Sequence, residues 1–260
     1  MSENPKAINT RDSLHTLMKP TSKSSRSTEM WIGTSGYQYP AWRGSFYPEK
    51  LSTAKMLAYY AERFPTTEVN YTFRQVPSEK TLLNWHDGTP ERFRFSLKAP
   101  QKITHFAKLR GCAETVQFFV ARVNLLGTKL GPILFQIPPT LKADVPLLRD
   151  FLASNPVMLA AFEFRHESWF TEDLFDALKS HNAALCIADT DEISTPVVKT
   201  ASFLYFRLRR EDYTPGDLTR WAKQLQECAK EASDAFIYFK HEEAGVGPKF
   251  AKALQERLFE

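Results

Sequence analysis

Residues 92–98 read Arg-Phe-Arg-Phe-Ser-Leu-Lys. Phe93, Phe95 and Leu97 alternate with Arg94, Ser96 and Lys98, which is the period of a β-strand, whose successive side chains point to opposite faces. The same alternation returns at Phe162-Glu163-Phe164-Arg165 and at Tyr205-Phe206-Arg207-Leu208-Arg209. Strands of a parallel sheet covered on both faces should be almost wholly apolar. Here the C-terminal half of nearly every strand-like segment carries a polar or charged residue instead.

Working outward from this stretch, the chain alternates strand-like and helix-like segments from Met30 onward. Strands are expected at Met30–Ser35, Thr67–Tyr71, Arg92–Lys98, Pro132–Ile137, Leu159–Phe164, Ala184–Ala188, Phe203–Leu208 and Ala235–Phe239. Helices are expected at Ser52–Arg63, Ser78–His86, Cys112–Leu126, Val145–Ala153, Glu172–Ser180, Gly216–Lys230 and Gly247–Leu258, with no helix assigned after the sixth strand. Thr171, Ser52 and Asp144 stand where helix N-caps belong, and Gly127 and Gly131 bracket a helix end and a strand start. This alternation predicts an α/β fold, a TIM-like (β/α)8 barrel forming a single domain over residues 30–260. An open doubly wound sheet would want a Gly-rich phosphate turn after the first strand, and Gly33-Thr34-Ser35-Gly36 does not supply one.

Composition agrees. The chain has 260 residues, 43% of them hydrophobic and 25% charged, which fits a globular protein and excludes collagen-like or wholly disordered chains. Residues 1–29, with Lys-Pro-Thr-Ser-Lys-Ser-Ser-Arg-Ser-Thr at 19–28, are polar and aperiodic, so a disordered tail is expected there. No apolar run approaches the roughly 18 residues of a membrane span, and no secretory leader is evident. The three cysteines, Cys112, Cys186 and Cys228, lack metal-binding or dithiol spacing and read as buried small hydrophobes in a reducing, cytoplasmic setting. The net charge of +4 is weak support for an anionic partner.

In a barrel, the simplest geometry turns the aromatic set outward against the helices and the polar set inward, near the C-terminal mouth where such barrels hold their sites. The expected inward set comprises Glu68 and Asn70, Lys98 with Arg94, Gln136, Glu163 and Arg165, Asp189, Arg207 and Arg209, and Lys240. Cations outnumber carboxylates in it, which suggests a phosphate or carboxylate ligand. On the loop Gly36–Pro48, Tyr37 and Trp42 could stack on a ring of that ligand. His105, His166 and His241 each follow a strand end. No HxH or HExxH spacing accompanies them, so no metal site is assigned and a divalent metal is kept as an alternative only. The cofactor is unknown.

Together these residues carry a family resemblance. The motifs are Ile32-Gly33-Thr34-Ser35-Gly36-Tyr37 with Trp42 and Phe46-Tyr47-Pro48, then Glu68-Val69-Asn70-Tyr71-Thr72-Phe73, Trp85, Thr89-Pro90, Phe93–Lys98 and Ile103-Thr104-His105. They continue with Gln136-Ile137-Pro138-Pro139, Glu163-Phe164-Arg165-His166 with Ser168-Trp169, Asp189, and Tyr205–Leu208. The chain resembles the YecE-like proteins, a family of unknown function, from about Trp31 to the C-terminus. The resemblance implies a TIM-like barrel and no established activity. Two positions depart from the family's commonest pattern: Arg209-Arg210 replaces a His-Gly pair, and Lys240-His241 replaces paired asparagines. Both add basic groups at the mouth.

The reading favoured on these grounds is an enzyme acting on an anionic small molecule. Arg165, Arg207 and Lys240 would clamp the anion, with Glu68, Asn70 and Gln136 completing its site. Glu163, Asp189 and His105 would serve the chemistry with Lys98, the lysine acting as electrophile, base or Schiff-base former. The alternatives are a metal-dependent phosphodiester hydrolase or nucleic-acid-binding protein, and a non-catalytic ligand-binding barrel. No membrane partner is expected, and the oligomeric state is left open.

Overall fold

The computed structural model describes residues 28–240 and 245–259. Most of the expected tail, residues 1–27, lies outside the described residues, as does His241. The barrel starts slightly earlier than expected: Glu29 is already in the first strand, and the Thr28 hydroxyl donates to the Ala232 carbonyl at 2.7 Å.

Eight parallel strands close into a barrel in sequence order. They are β1 (Glu29–Ser35), β2 (Thr66–Val69), β3 (Arg94–Lys98), β4 (Leu130–Gln136), β5 (Ala160–Glu163), β6 (Ala184–Asp189), β7 (Phe203–Leu208) and β8 (Asp234–Phe239). The last strand returns to the first, with Gly33 beside Tyr238. Gly33 is required there, because a Cβ would lie 2.0 Å from the Thr66 carbonyl oxygen on β2.

The helices are α1 (Met56–Ala61), α2 (Glu79–Asp87), α3 (Ala113–Val123), α4 (Val145–Ser154), α5 (Glu172–Ser180), α6 (Pro215–Ala229) and α7 (Val246–Phe259). Side-chain caps start several of them. Asp144 accepts from the Leu147 amide at 3.1 Å, and Thr171 from the Leu174 amide at 3.3 Å. Thr214 and Asp217 form a reciprocal capping box at α6. Ser52 corrects the expectation made of it: its side chain caps nothing, and a 3₁₀ turn (Thr53–Lys55) precedes a helix shorter than expected. Among the described residues no helix joins β6 to β7. That connection is tied down instead by Thr200, whose hydroxyl donates to the Ala183 carbonyl and accepts from the Leu185 amide, each at 2.7 Å.

Two apolar layers hold the barrel. Outside the sheet, Phe95, Leu97, Phe162, Phe164, Phe206 and Leu208 are buried under the helices. Trp85 stacks on Phe95 with centroids 5.7 Å apart, and Trp169 on Phe164 at 4.6 Å. Each such ring contributes about 1.5–3 kcal/mol by leaving water. Inside the barrel a second cluster fills the floor, where Phe236 packs against Trp31 at 6.0 Å and Phe203 at 6.3 Å. The aromatic-outward rule therefore holds in the upper strands and fails at the floor, because a closed barrel interior is a packed core. Arg94 belongs to that lower end. Its guanidinium carbon lies 5.0 Å from the Trp31 ring centroid, so it is absent from the mouth.

Candidate functional site

Strand register raises one layer of polar side chains into the upper barrel. Ser35 pairs with Glu68, Glu68 with Ser96, Gln136 with Glu163, and Ala188 with Arg207. Below them, Tyr238 reaches the hydroxyls of Thr66 and Ser96, each at 2.7 Å, and closes the layer from the floor.

Arg207 is the centre of the polar layer. Its Nη2 donates to Glu68 Oε1 at 2.8 Å, and its Nη1 donates to Glu163 Oε2. All three side chains are almost wholly buried. Glu68 also accepts from the Tyr205 hydroxyl at 2.7 Å and from the Ser35 hydroxyl. Ser35 in turn accepts from Asn70 Nδ2 at 2.8 Å. Glu163 accepts from Gln136 Nε2 at 2.9 Å and from Arg165 Nε at 3.0 Å. A buried charge survives only when paired and hydrogen-bonded, and this network satisfies both carboxylates.

The same network fixes protonation. Burial by itself would raise the Glu163 pKa, but the cations of Arg207, Arg165 and Arg209 outweigh it and hold the carboxyl well below the ordinary range. Glu163 is therefore an ionised anchor for cations, which corrects its expected part in moving protons. Lys98 behaves oppositely. Burial, reinforced by the Arg207 cation, brings its ammonium down to about 8. Its Nζ donates to Gln136 Oε1 at 2.7 Å and lies 4.1 Å from the Phe73 ring centroid.

Above this layer opens a cavity of about 520 Å³, and its wall carries six cationic side chains and no carboxylate: Arg74, Lys98, Arg165, Arg207, Arg209 and Lys240. Asn70, Tyr71, Phe73 and Gln136 complete it. Arg207 Nε is a buried donor without a hydrogen-bond partner among the described residues, and Arg209 Nη1 lies 3.6 Å from Glu163 Oε1 as a longer ion pair. The structure thus brings together Lys98, Asn70, Gln136, Arg165, Arg207 and Lys240 as the sequence suggested. Glu68 is present but sits beneath the cavity, fully buried.

Other expected site residues fall elsewhere. Asp189 is turned away from the mouth. Its Oδ2 accepts from the Tyr213 hydroxyl at 2.8 Å and from Trp221 Nε1 at 3.0 Å, so it ties β6 to α6 and the loop before it. Its neighbour Ala188 takes the inward place beside Arg207. Trp42 is fully buried among Tyr39, Phe46 and Tyr47 and packs the first loop rather than meeting a ligand. Tyr37 is nearly buried as well, but it edges a side cavity next to the mouth. His105 lies on a one-turn π-helix (Lys102–Phe106), its ring 4.9 Å from Phe73. Burial, then the charges of Lys98 and Arg165, lower its pKa, which favours the neutral imidazole. It is not among the residues of the cavity wall. His166 Nδ1 accepts from the Ser168 amide at 3.2 Å, a local cap. Arg210 pairs with Asp212 at 3.1 Å and leaves the extra mouth charge to Arg209. Of the cysteines, Cys228 is only partly buried.

Sequence reasoning missed Ser35, Phe73 and Arg74. Ser35 was detectable, since it follows Trp31 and Gly33 at period two on β1. Phe73 and Arg74 follow the end of β2 in a turn, where no periodicity marks which side chain meets the cavity.

A metal fits this donor set poorly. Glu68 and Glu163 are already bound to Arg207, and the cations around them oppose a further positive charge. Among the described residues, no group of three or more His, Cys, Asp or Glu is arranged to hold an ion.

Comparison with known proteins agrees with the barrel. A family model described as "Protein of unknown function DUF72" matches residues 31–260. The UPF0759 protein YunF of Bacillus subtilis is 25% identical over 269 residues, covering 88% of this chain and 94% of that protein. The UPF0759 protein YecE of Escherichia coli K12 is 31% identical over 145 residues, 55% of this chain and 51% of YecE. Among solved structures, a DUF72 family protein of Thermotoga maritima superposes with a TM-score of 0.79 at 24% identity, over 89% of this chain and all of that one.

Proposed function

The chain belongs to the DUF72 family of proteins of unknown function, and on that premise we propose that it is an enzyme whose barrel mouth binds an anionic small molecule, phosphorylated or carboxylate-bearing. One observation carries this reading: the cavity wall holds six cationic side chains and no carboxylate. Glu163, beneath the wall, offsets part of the charge of Arg165, Arg207 and Arg209, and the cationic excess that remains favours an anion in the cavity. The buried Arg207 Nε–H, which has no hydrogen-bond partner among the described residues, adds to the argument, because an unmet buried donor costs about 1–3 kcal/mol.

Roles follow from position. Arg165, Arg209 and Lys240 hold the anion, with Arg207 fixed in place by Glu68 and Glu163. Lys98 is the group that transfers a proton, since an amine titrating at about 8 exchanges its proton near neutral pH, where general acid–base catalysis is most effective. Gln136 fixes its Nζ. The hydrolase reading that depends on a metal has less support, because Glu68 and Glu163 are already committed to Arg207.

The test is titration of the full chain with inorganic phosphate and then a panel of phosphorylated and carboxylate metabolites, read by calorimetry and thermal shift. Binding that weakens in Arg165→Ala, together with turnover of one ligand that disappears in Lys98→Met, is expected. A panel that never binds overturns the anion site. Binding without turnover of any ligand leaves a binding protein and overturns the enzyme.

A further inference from the structure

Next to the cationic cavity lies a second one, of about 350 Å³. The two share a wall, since Asn70 and Tyr71 line both. The character of the surface changes across that wall. Tyr37, Tyr39, Val69, Thr81 and Trp85 line the second cavity, and no charged side chain does. Tyr71, at the junction, is 50% exposed, a large ring left in water where two cavities meet.

We propose that the ligand is bipartite: a phosphate held by the cationic cavity and a planar aromatic ring seated in the second. This rests on the anion-binding reading above and narrows its substrate class to aryl or heteroaryl phosphates. Four aromatic side chains around one space, Tyr37, Tyr39, Tyr71 and Trp85, favour a flat π-system, which gains offset-stacked and edge contacts that an aliphatic group of equal area does not. Burial pushes the Tyr37 phenol up to about 12, so its hydroxyl stays protonated and uncharged beside such a ring. Asn70 stands where ring and phosphate would join. Its Nδ2 is committed to Ser35, and its Oδ1 has no protein partner among the described residues. The cavity on the opposite side of the mouth meets the cationic one at Arg165 and carries Glu163, Glu167 and Glu192. Those carboxylates make it a poor seat for a second anionic or apolar group, which leaves the aromatic side as the continuation.

The experiment compares calorimetric affinities of the full chain for inorganic phosphate, methyl phosphate, phenyl phosphate, 1-naphthyl phosphate and a hexose phosphate. The aryl esters are expected to bind at least tenfold more tightly than methyl phosphate. Thr81→Trp, which fills the second cavity, should erase that gain while inorganic phosphate still binds, the retained phosphate affinity also showing that the variant is folded. Tyr71→Ala should reduce the gain. If methyl and aryl esters bind equally well, the bipartite ligand is overturned and the anion site stands. If the hexose phosphate binds more tightly than the aryl esters, the ring class is wrong and the inference is overturned. If no phosphate binds at all, both readings fall together.

Discussion

Arg207 Nη2 and Glu68 Oε1 meet at 2.8 Å inside the barrel, with 2% and 0% of their side chains exposed. Glu68 comes from β2 and Arg207 from β7, so this pair spans the barrel interior. Glu163, from β5, takes the other Nη of the same guanidinium. Removing the arginine would strand two buried carboxylates. Arg207→Met should therefore lower unfolding free energy by about 3–5 kcal/mol, measured by urea denaturation. A loss below about 1 kcal/mol would mean that the carboxylates protonate or hydrate without cost.

Lys98 predicts a pH dependence of stability. Its pKa is about 8 in the folded chain and 10.5 in an unfolded one. Between those values the unfolded chain binds more protons, so stability rises with pH across that window. Below pH 8 the folded state carries the full cost of the charged amine. Denaturation of wild type and Lys98→Met from pH 7 to 11 should show wild type gaining on the variant between about 8 and 10.5. Parallel curves would place the Lys98 pKa at its ordinary value.

Glu163 should act at the acid end, where stability again rises with pH, but here because the ionised group is favoured by the fold. Its folded pKa is held below the ordinary carboxylate value of 4.5, so it stabilises the fold above that value and loses its contribution as pH falls below it. Acid unfolding of Glu163→Gln should be less steep there than that of wild type. Equal steepness would exclude this carboxylate as a source of acid sensitivity.

Phosphate binding should depend on the cations that are not bound by two carboxylates. Arg165→Ala and Arg209→Ala should each weaken inorganic phosphate by roughly tenfold or more, in line with about 1.5–3 kcal/mol for a hydrogen bond to a charged group. Added salt should weaken it further by screening. Calorimetry at two ionic strengths checks both, and affinity indifferent to both arginines would move the anion elsewhere.

Asp189 offers a control. Because it holds Tyr213 and Trp221, Asp189→Ala should cost about 1–3 kcal/mol of stability and leave phosphate affinity unchanged. A variant as stable as wild type that loses activity would restore it to the site.

The strands and most of the helices were legible because their signals are local: period-two alternation at Phe93–Lys98 and a cap at Asp144. Asp189 shows what parity can tell when it is carried through. Leu185 and Ile187 share its face, and Ala184, Cys186 and Ala188 the other, so the small side chains mark the crowded interior and the branched ones the helix layer. Trp42 shows the opposite case, since nothing in a loop's composition separates a ring that stacks on a ligand from one that packs its own rim.

The sequence alone determined the barrel, the inward course of Lys98, Gln136, Glu163 and Arg207, and the excess of positive charge among the inward residues, since each follows from order along one strand. Only the tertiary structure decided which of these charges cancel. Glu68, Glu163 and Arg207 are far apart in the chain and meet only when the sheet closes. That closure turns two candidate catalytic or binding acids into the buried supports of one arginine and leaves Lys98 among cations, because electrostatic energy depends on distance through space and on burial, neither of which sequence order contains.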